Sequence, residues 1–356
     1  MPSDSRGPVA KQVPHVLPRP TGPTNDPYYW MSNRDDPETI AYLTQENEHC
    51  EAWFAPHTEL VEVLFNEIKS RVQETDASVP TLKDGWWYTT RTEEGSQYAI
   101  HCRGLSRDTA TANIILDENA LAHGHEYFSL GSFDISPDAH LLAWAADTDG
   151  SEHFTMRIRD LRTGIDLADE ITDTSWAGTA WSTDSAYLFY VTYDEQERPS
   201  SVWRHKVGTP ASDDVRIFEE TDERFYVGVD LTRSGAWIVI DADSKTSSEC
   251  RLISASDCLN EPVVVRPRSE NLEYHLDHWG DCFVVLTNDQ AVDFRIMQAP
   301  ENDPGTWTEL IAHVAGNRIT RIECFATHLV IHEWVNAQPQ LKIVLRDYSS
   351  MPIDLG

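Results

Sequence analysis

One serine in the sequence comes near to the motif of a catalytic nucleophile. A catalytic serine is commonly held in a G-x-S-x-G turn between a strand and a helix. The nearest match is GLSRD over residues 104–108, with Ser106 in the serine position, and it lacks the second glycine. It follows a predicted strand, with no predicted strand–turn–helix around it. The sequence therefore identifies no catalytic residue, because the many other Ser, His and Asp residues form triads only by arbitrary choice.

Two segments contain residue types that bind metals. Asp147, Asp149 and Glu152 resemble a calcium loop, but the glycine between them stands two positions too early for an EF-hand. A β-turn capped by carboxylates is the better interpretation. His123 and His125 lack an apparent third ligand and are interpreted as part of a polar loop. No metal site is predicted.

Cofactor motifs are also missing from the sequence. It contains neither the G-x-x-x-x-G-K-[ST] phosphate loop nor G-x-G-x-x-G. Residues 136–138, Ser-Pro-Asp, give only the beginning of the turn found in sialidase-type propellers. The six cysteines form no C-x-x-C pair and are predicted to be reduced core residues. We expect no cofactor.

The elements that would position such residues are short strands. Residues 127–164 predict a meander of three strands, at 129–135, 141–146 and 154–161, separated by turns rich in Pro, Asp and Gly. One such sheet leaves apolar faces uncovered. The rest of the chain supplies similar units.

The repeat is visible when the units are aligned on the turn before the longest apolar strand. The anchors are Gly85, Asp138, Asp184, Gly235, Gly280 and His328, at intervals of 53, 46, 51, 45 and 48 residues. Four strands in a unit of this length are typical of a β-propeller. The predicted fold is all-β, with six blades of four-stranded antiparallel sheet. A pair of sandwiches is the rival, but sandwiches would not repeat at one period.

The first 76 residues differ from this pattern. A proline-rich arm to about residue 30 precedes a predicted helix from Asp36, the N-cap, to about Phe54. A second helix presents Leu60, Leu64, Phe65, Ile68 and Val72 on one face. We therefore expect two domains, the arm with two helices over 1–76 and an incomplete propeller over 77–356.

Composition limits the partners. With 28 Lys and Arg against 59 Asp and Glu, the net charge is −31, which argues against nucleic acid and anionic membranes. A solvated acidic surface is the simpler interpretation of this charge, and attraction of cationic partners such as basic peptides is the other. No apolar stretch suits a signal peptide or a membrane span. A cytoplasmic location is the simplest expectation.

Several long motifs carry a family likeness. The motifs are DPYYWM, DDPETIAYLTQENEH, RTEEGSQYAIHCR, GHEYFSLGSFDISPD, DERFYVGVDLTRS, EYHLDHWGDCFVVLTND and DFRIMQAP. In these motifs the chain resembles the N-terminal part of oligopeptidase B, in the prolyl oligopeptidase family of serine peptidases. The resemblance implies a seven-bladed propeller that caps an α/β-hydrolase domain and admits only short peptides, which are cleaved after Arg or Lys. It also implies that the N-terminal helices pack on the hydrolase domain.

The catalytic part of the family has no counterpart in this sequence. Six blades are visible, and the Ser–Asp–His triad belongs to the hydrolase domain, so no catalytic, cofactor or metal residue is carried over. We expect the chain to be inactive alone and to need the hydrolase domain in cis or from another chain. The alternative is a stand-alone propeller that binds peptides or a protein.

Overall fold

In the computed structural model, which describes residues 7–354, the chain divides into two units, Met1–Asp76 and Ala77–Gly356. Residues 1–6 of the expected arm and residues 355–356 of the expected propeller lie outside the described part. Within it, no helix has the length and apolar character needed to cross a bilayer.

The first unit contains the two predicted helices, α1 (Pro37–Phe54) and α2 (Thr58–Lys69). The Asp36 carboxylate accepts a hydrogen bond from the Glu38 amide at 2.8 Å, which confirms the predicted N-cap. Helix α2 ends three residues before Val72, so the predicted apolar face was too long. Elements not predicted are the strands Val16–Leu17 and Thr24–Asn25 and the 3-10 turns Tyr29–Ser32 and Ala55–His57.

The second unit consists of antiparallel strands that form six blades, each described from its inner to its outer strand. Blade 1 contains Thr81–Lys83, Trp86–Thr92, Ile100–Gly104 and Asn113–Asp117. Blade 2 contains Ser129–Ile135, Leu141–Asp147, Phe154–Asp160 and the first half of Ile165–Trp181. Blade 3 contains the second half of that strand, Tyr187–Tyr193, Pro199–Lys206 and Val215–Glu219.

The remaining blades are separate four-stranded sheets. Blade 4 contains Tyr226–Leu231, Trp237–Asp243, Ser248–Ser254 and Val263–Val264. Blade 5 contains Tyr274–Trp279, Cys282–Thr287, Arg295–Pro300 and Thr308–Ile311. Blade 6 contains Asn317–Cys324, His328–Val335, Gln338–Leu345 and Ser350–Ile353. The predicted all-β architecture of six repeated sheets is confirmed.

Four short elements lie outside this pattern. A strand at Asp76–Ala77 lies at the boundary of the two units. Helix α3 (Glu118–Ala122) begins at Asp117, whose carboxylate accepts hydrogen bonds from the Asn119 and Ala120 amides. The 3-10 turns Arg107–Thr109 and Ala211–Asp213 follow blade strands.

One strand passes through two blades. Ile165–Trp181 pairs with the third strand of blade 2 and then with the second strand of blade 3, which joins these blades in one seven-stranded sheet. Thr174 pairs with both neighbours, and the register shifts between Thr174 and Thr179. Gly178, at φ +98°, lies in this shift, where the backbone turns from one sheet to the next.

Five apolar clusters hold the blades together. Each cluster draws its side chains from two neighbouring blades, so that the five clusters fill the five interfaces between six blades. Trp181, with no exposed surface, fills the interface between blades 2 and 3 beside Met156 and Leu188. Because blades 2 to 5 each lie between two of these clusters, their central strands are apolar on both sides.

A buried hydrogen-bonded group of polar side chains also links blades 2 and 3. The His205 ring nitrogens lie 2.9 Å from an Asp169 carboxylate oxygen and 2.7 Å from an Asp214 carboxylate oxygen. The His205 ring is fully buried, and the Tyr190 hydroxyl donates a hydrogen bond to Asp214. Burying these two carboxyl groups without His205 would cost folding free energy. The hydrogen bonds of His205 therefore link the outer strand of blade 2 to blade 3.

Candidate functional site

The inner strands of blades 1 to 4 enclose a cavity of about 1000 Å³. Gly131, Gly178 and Gly228 lie on the inner strands of blades 2, 3 and 4, and all three line the cavity. A Cβ atom on Gly131 would lie 2.4 Å from the Phe154 ring, and one on Gly178 would lie 2.2 Å from the Val229 carbonyl oxygen. Packing therefore requires glycine at these two positions. We call this cavity and its continuation the channel.

A second cavity of about 360 Å³ continues the channel along blades 4 to 6. The two cavities share the inner strand end of blade 4, including Asp230, and both reach Asp241. Asp241 belongs to the second strand of blade 4, where its register partner on the inner strand is Gly228. Because Gly228 has no side chain, the Asp241 carboxyl group can border the channel from behind it.

The channel wall is acidic. Burial raises the pKa of Asp134 to about 6, against the nearby charge of Lys83, which lowers it. Burial likewise raises the pKa of Asp230 and of Asp241. Asp134 accepts a hydrogen bond from the Thr179 hydroxyl at 3.4 Å. These carboxyl groups lack a cationic hydrogen-bond partner among the described residues, and a cationic ligand would stabilise their ionised form.

Two further acidic residues of the channel already have structural partners. Asp277 accepts hydrogen bonds from the backbone amides of Arg233 at 2.8 Å and Cys324 at 3.0 Å, which connects blades 4, 5 and 6. Glu323 lies 3.4 Å from the Arg233 guanidinium and 3.1 Å from the His332 ring. Asp277 and Glu323 therefore stabilise the channel wall. Asp134, Asp230 and Asp241, in contrast, accept hydrogen bonds only from neutral groups in the described part of the chain, which are the Thr179 hydroxyl, the Leu231 amide and the Cys250 thiol. Their charge is therefore available to a cationic ligand.

A third cavity, of about 990 Å³, lies at the end of blade 4 opposite Asp230, beside the loop that leads into blade 5. Its wall includes Phe225, Tyr226, Asp243 and Arg268. The Arg268 guanidinium stacks 4.0 Å from the Phe225 ring centre and pairs with the buried Glu220. Burial raises the pKa of Asp243 to about 6, and its buried Oδ1 has no hydrogen-bond partner among the described residues. This cavity combines an aromatic wall with a carboxyl group.

The residues that the sequence offered as candidate nucleophile or metal ligands have structural roles in turns and at a helix end. Ser106 caps a 3-10 turn, and its hydroxyl lies 2.9 Å from that of Thr109. The Asp147 carboxylate accepts hydrogen bonds from the amides of Asp149, Gly150 and Glu152, each at 2.9 Å, and thus caps its turn. His123 follows the end of helix α3. Residues 7–354 contain no group of three or more His, Cys, Asp or Glu side chains placed to hold a metal ion.

Comparison with known proteins identifies the fold. Residues 8–354 match the family described as prolyl oligopeptidase, N-terminal β-propeller domain. This chain belongs to that family. The match covers the arm and helices as well as the six blades, and it confirms the predicted resemblance to the N-terminal part of prolyl oligopeptidases.

Relatives of this propeller are peptidases about twice its length. It is 36% identical to dipeptidyl aminopeptidase BI of Pseudoxanthomonas mexicana, over 96% of this chain and 50% of the relative. It is 30% identical to protease 2 of Moraxella lacunata, over 95% and 50%. The chain therefore spans about half the length of the curated relatives it matches.

Solved structures agree with this assignment. Oligopeptidase B from Leishmania major superposes with a TM-score of 0.92 at 25% identity, covering 99% of this chain and 54% of that one. Oligopeptidase B from Trypanosoma brucei with covalently bound antipain gives 0.88 at 28% identity, covering 98% and 53%.

The acidic channel was not predicted from the sequence, although the repeat contains a signal for it. Asp134, Asp230, Asp277 and Glu323 each stand three to five residues before the anchor of their repeat. In a propeller of the prolyl oligopeptidase type this position is the end of the inner strand, which borders the channel. Asp241 has no such signal, because it reaches the channel only through the gap at Gly228.

Proposed function

We propose that this chain is the propeller portion of an oligopeptidase B-like serine endopeptidase that cleaves short peptides after Arg or Lys. The observation that carries the proposal is the channel bordered by Asp134, Asp230 and Asp241. Guanidinium and ammonium groups are the side chains that unpaired carboxylates attract most strongly. A narrow opening with one sign of charge also raises the local concentration of oppositely charged ligands.

The propeller would select its substrates by size as well as by charge. A cavity of about 1000 Å³ has the volume of a site for a small ligand. A short peptide segment fits such a space, whereas a folded domain does not. We therefore propose that the propeller gates access to the catalytic centre, which a hydrolase domain would supply.

The exposed apolar face of helix α2 supports the proposal that the first unit packs on another domain. The side chains of Leu64, Phe65 and Ile68 are 48%, 63% and 65% exposed, and no residue of α2 is buried. An amphipathic helix with an uncovered apolar face needs a partner surface. We propose that this face packs on the hydrolase domain. All six cysteines are free, which supports the proposed cytoplasmic location.

Two assays test the proposal. The chain is titrated into a fluorescein-labelled tetra-arginine peptide, with labelled tetra-glutamate as the matched control and hen lysozyme as a folded cationic competitor. We expect tetra-arginine to bind, salt to weaken the complex, and lysozyme not to displace the peptide. Equal affinity for tetra-glutamate would contradict recognition of basic peptides, and displacement by lysozyme would contradict gating by size.

The catalytic part of the proposal has its own test. The chain alone is incubated with an Arg-containing fluorogenic dipeptide, with and without a serine-directed inhibitor, and no turnover is expected. Inhibitor-sensitive turnover would show that a nucleophile is present. Blotting an extract of the producing cells with an antibody to this chain measures its natural size; a band near 80 kDa, about twice the 40.4 kDa of this chain, is expected.

A further inference from the structure

We propose that Lys83 is an internal counter-ion of the acidic channel, which the basic side chain of a bound peptide displaces, so that Lys83 sets how strongly the channel selects basic peptides. This inference rests on the proposed function. It adds a specificity-determining residue that makes no contribution to the chemical step.

The position of Lys83 is the first argument. Lys83 ends the inner strand of blade 1, beside the Asp84–Gly85 turn, and it borders the same cavity as Asp134 and Asp230. These two acidic residues belong to blades 2 and 4. The lysine charge is thus placed among carboxyl groups from two other blades of the ring.

Lys83 is also free to move. Its residue is exposed, and its ammonium group makes no hydrogen bond or ion pair in the described contacts of residues 7–354. Lys342, in contrast, pairs with Glu333 at 3.1 Å. Since a lysine carries its charge on a flexible four-carbon stem, Lys83 can approach the carboxyl groups without being fixed to either one.

Electrostatics agree with this placement. The charge of Lys83 lowers the pKa of Asp134 and of Asp230, although burial raises both. The other cation bordering this cavity, Arg233, is engaged elsewhere. Its guanidinium lies 3.4 Å from Glu323 and stacks 3.8 Å from the centre of the Phe325 ring. Lys83 is therefore the cation that can leave these carboxyl groups most easily.

The consequence is a competition between like charges. An arginine that enters the channel either meets the repulsion of Lys83 or takes its place beside the carboxylates. Both cases weaken the binding of basic peptides, while neutral peptides lose little. Coulomb's law, for a unit charge about 6 Å away at effective dielectric constants of about 40 to 80, gives a roughly three- to tenfold effect on affinity.

The test compares three variants of the full chain by fluorescence anisotropy with labelled tetra-arginine at low salt. Lys83→Met is expected to bind the peptide roughly three- to tenfold more tightly than the natural chain. Lys83→Arg retains the charge and is expected to remain within about twofold of the natural chain, which is less than the roughly threefold lower limit expected for loss of the charge. Lys206→Met removes the same charge at an exposed position outside the cavity wall and serves as the matched control.

The outcomes separate this inference from the proposed function. If Lys83→Met leaves tetra-arginine binding unchanged, the inference is overturned and the proposed function is not. The same holds if Lys206→Met strengthens tetra-arginine binding as much as Lys83→Met does. Absence of tetra-arginine binding in every variant overturns the proposed function and this inference with it.

A second measurement does not depend on a peptide. The chain is labelled with ¹³C at the aspartate carboxyl carbons, and the Asp134 signal is assigned by its loss in Asp134→Asn. In Lys83→Met the Asp134 titration midpoint is expected to move to higher pH, because the neighbouring cation is gone. An unchanged midpoint means that Lys83 does not act on this carboxyl group.

Discussion

Asp134→Asn is expected to stabilise the propeller at neutral pH and to lose this advantage as the pH falls. Asp134 lines the channel, and burial raises its pKa to about 6. A group whose pKa is higher in the folded than in the unfolded chain favours folding when protonated. This contribution is fully present below the unfolded value of 3.8 and is lost as the pH rises through 6. Asn, which is always neutral, resembles the protonated form at every pH.

The size of the effect follows from the difference between the two pKa values. A shift from 3.8 to about 6 corresponds to about 3 kcal/mol when the whole titration is crossed. Between pH 7.5 and pH 5, only the upper part is crossed, and the linkage relation gives roughly 1 kcal/mol. The advantage of Asn over Asp should shrink by this amount over that interval. The Thr179 hydroxyl can still donate to the Asn side-chain oxygen, so this contact is retained.

Urea denaturation followed by tryptophan fluorescence measures the difference at pH 7.5 and pH 5. Asp160→Asn is the matched control, because it makes the same charge change on the same blade. The Arg162 guanidinium holds the pKa of Asp160 at about 2, so the effect of Asp160→Asn should not change over this interval. A stability difference for Asp134→Asn that is constant with pH, or that grows on acidification, would refute the reasoning.

Three further changes test the packing. His205→Gln should cost about 2–3 kcal/mol in urea unfolding, because Gln can hydrogen-bond only one of the two buried carboxyl groups of Asp169 and Asp214 and leaves the other without its His205 partner. A cost as small as that of exposed His140→Gln would contradict this. Gly178→Ala should lower the free energy of unfolding by about 2–3 kcal/mol, because the backbone has positive φ there and the new Cβ would meet the Val229 carbonyl. The loss should clearly exceed that of Gly208→Ala, where φ is also positive but the space around the Cβ is open. Phe65→Ser with Ile68→Ser should change stability by less than about 0.5 kcal/mol and lower bis-ANS fluorescence; a large loss of stability would show that the α2 face is covered.

The strands were predictable because their signals are local. Residues 237–240, Trp-Ile-Val-Ile, follow a turn at Gly235 and form a strand that is buried on both faces, as the apolar run indicates. The N-cap at Asp36 was predictable for the same reason. Helix α3 was missed because five residues are too few to show helical periodicity, and its start depends on the Asp117 side chain.

The channel depends on contacts that no local pattern describes. Asp241 borders it only because Gly228, 13 positions earlier, is its register partner and lacks a side chain. Lys83 and Asp134 approach each other because neighbouring blades place their inner strands side by side. The sequence indicates the acidic excess, but the ring of blades decides which carboxyl groups face the channel.

The strand shared by blades 2 and 3 makes this pair a single mechanical element. Neither blade can unfold without removing an edge strand from the other. Under a force applied along the chain, blades 2 and 3 should therefore unfold in one event. The segment Ser129–Glu219 would then release about 90 residues, or roughly 300 Å of extended chain. Blade 4 alone, Tyr226–Val264, would release about 40 residues, or roughly 130 Å. An unfolding machine that pulls this chain would therefore meet its longest single step at the strand Ile165–Trp181.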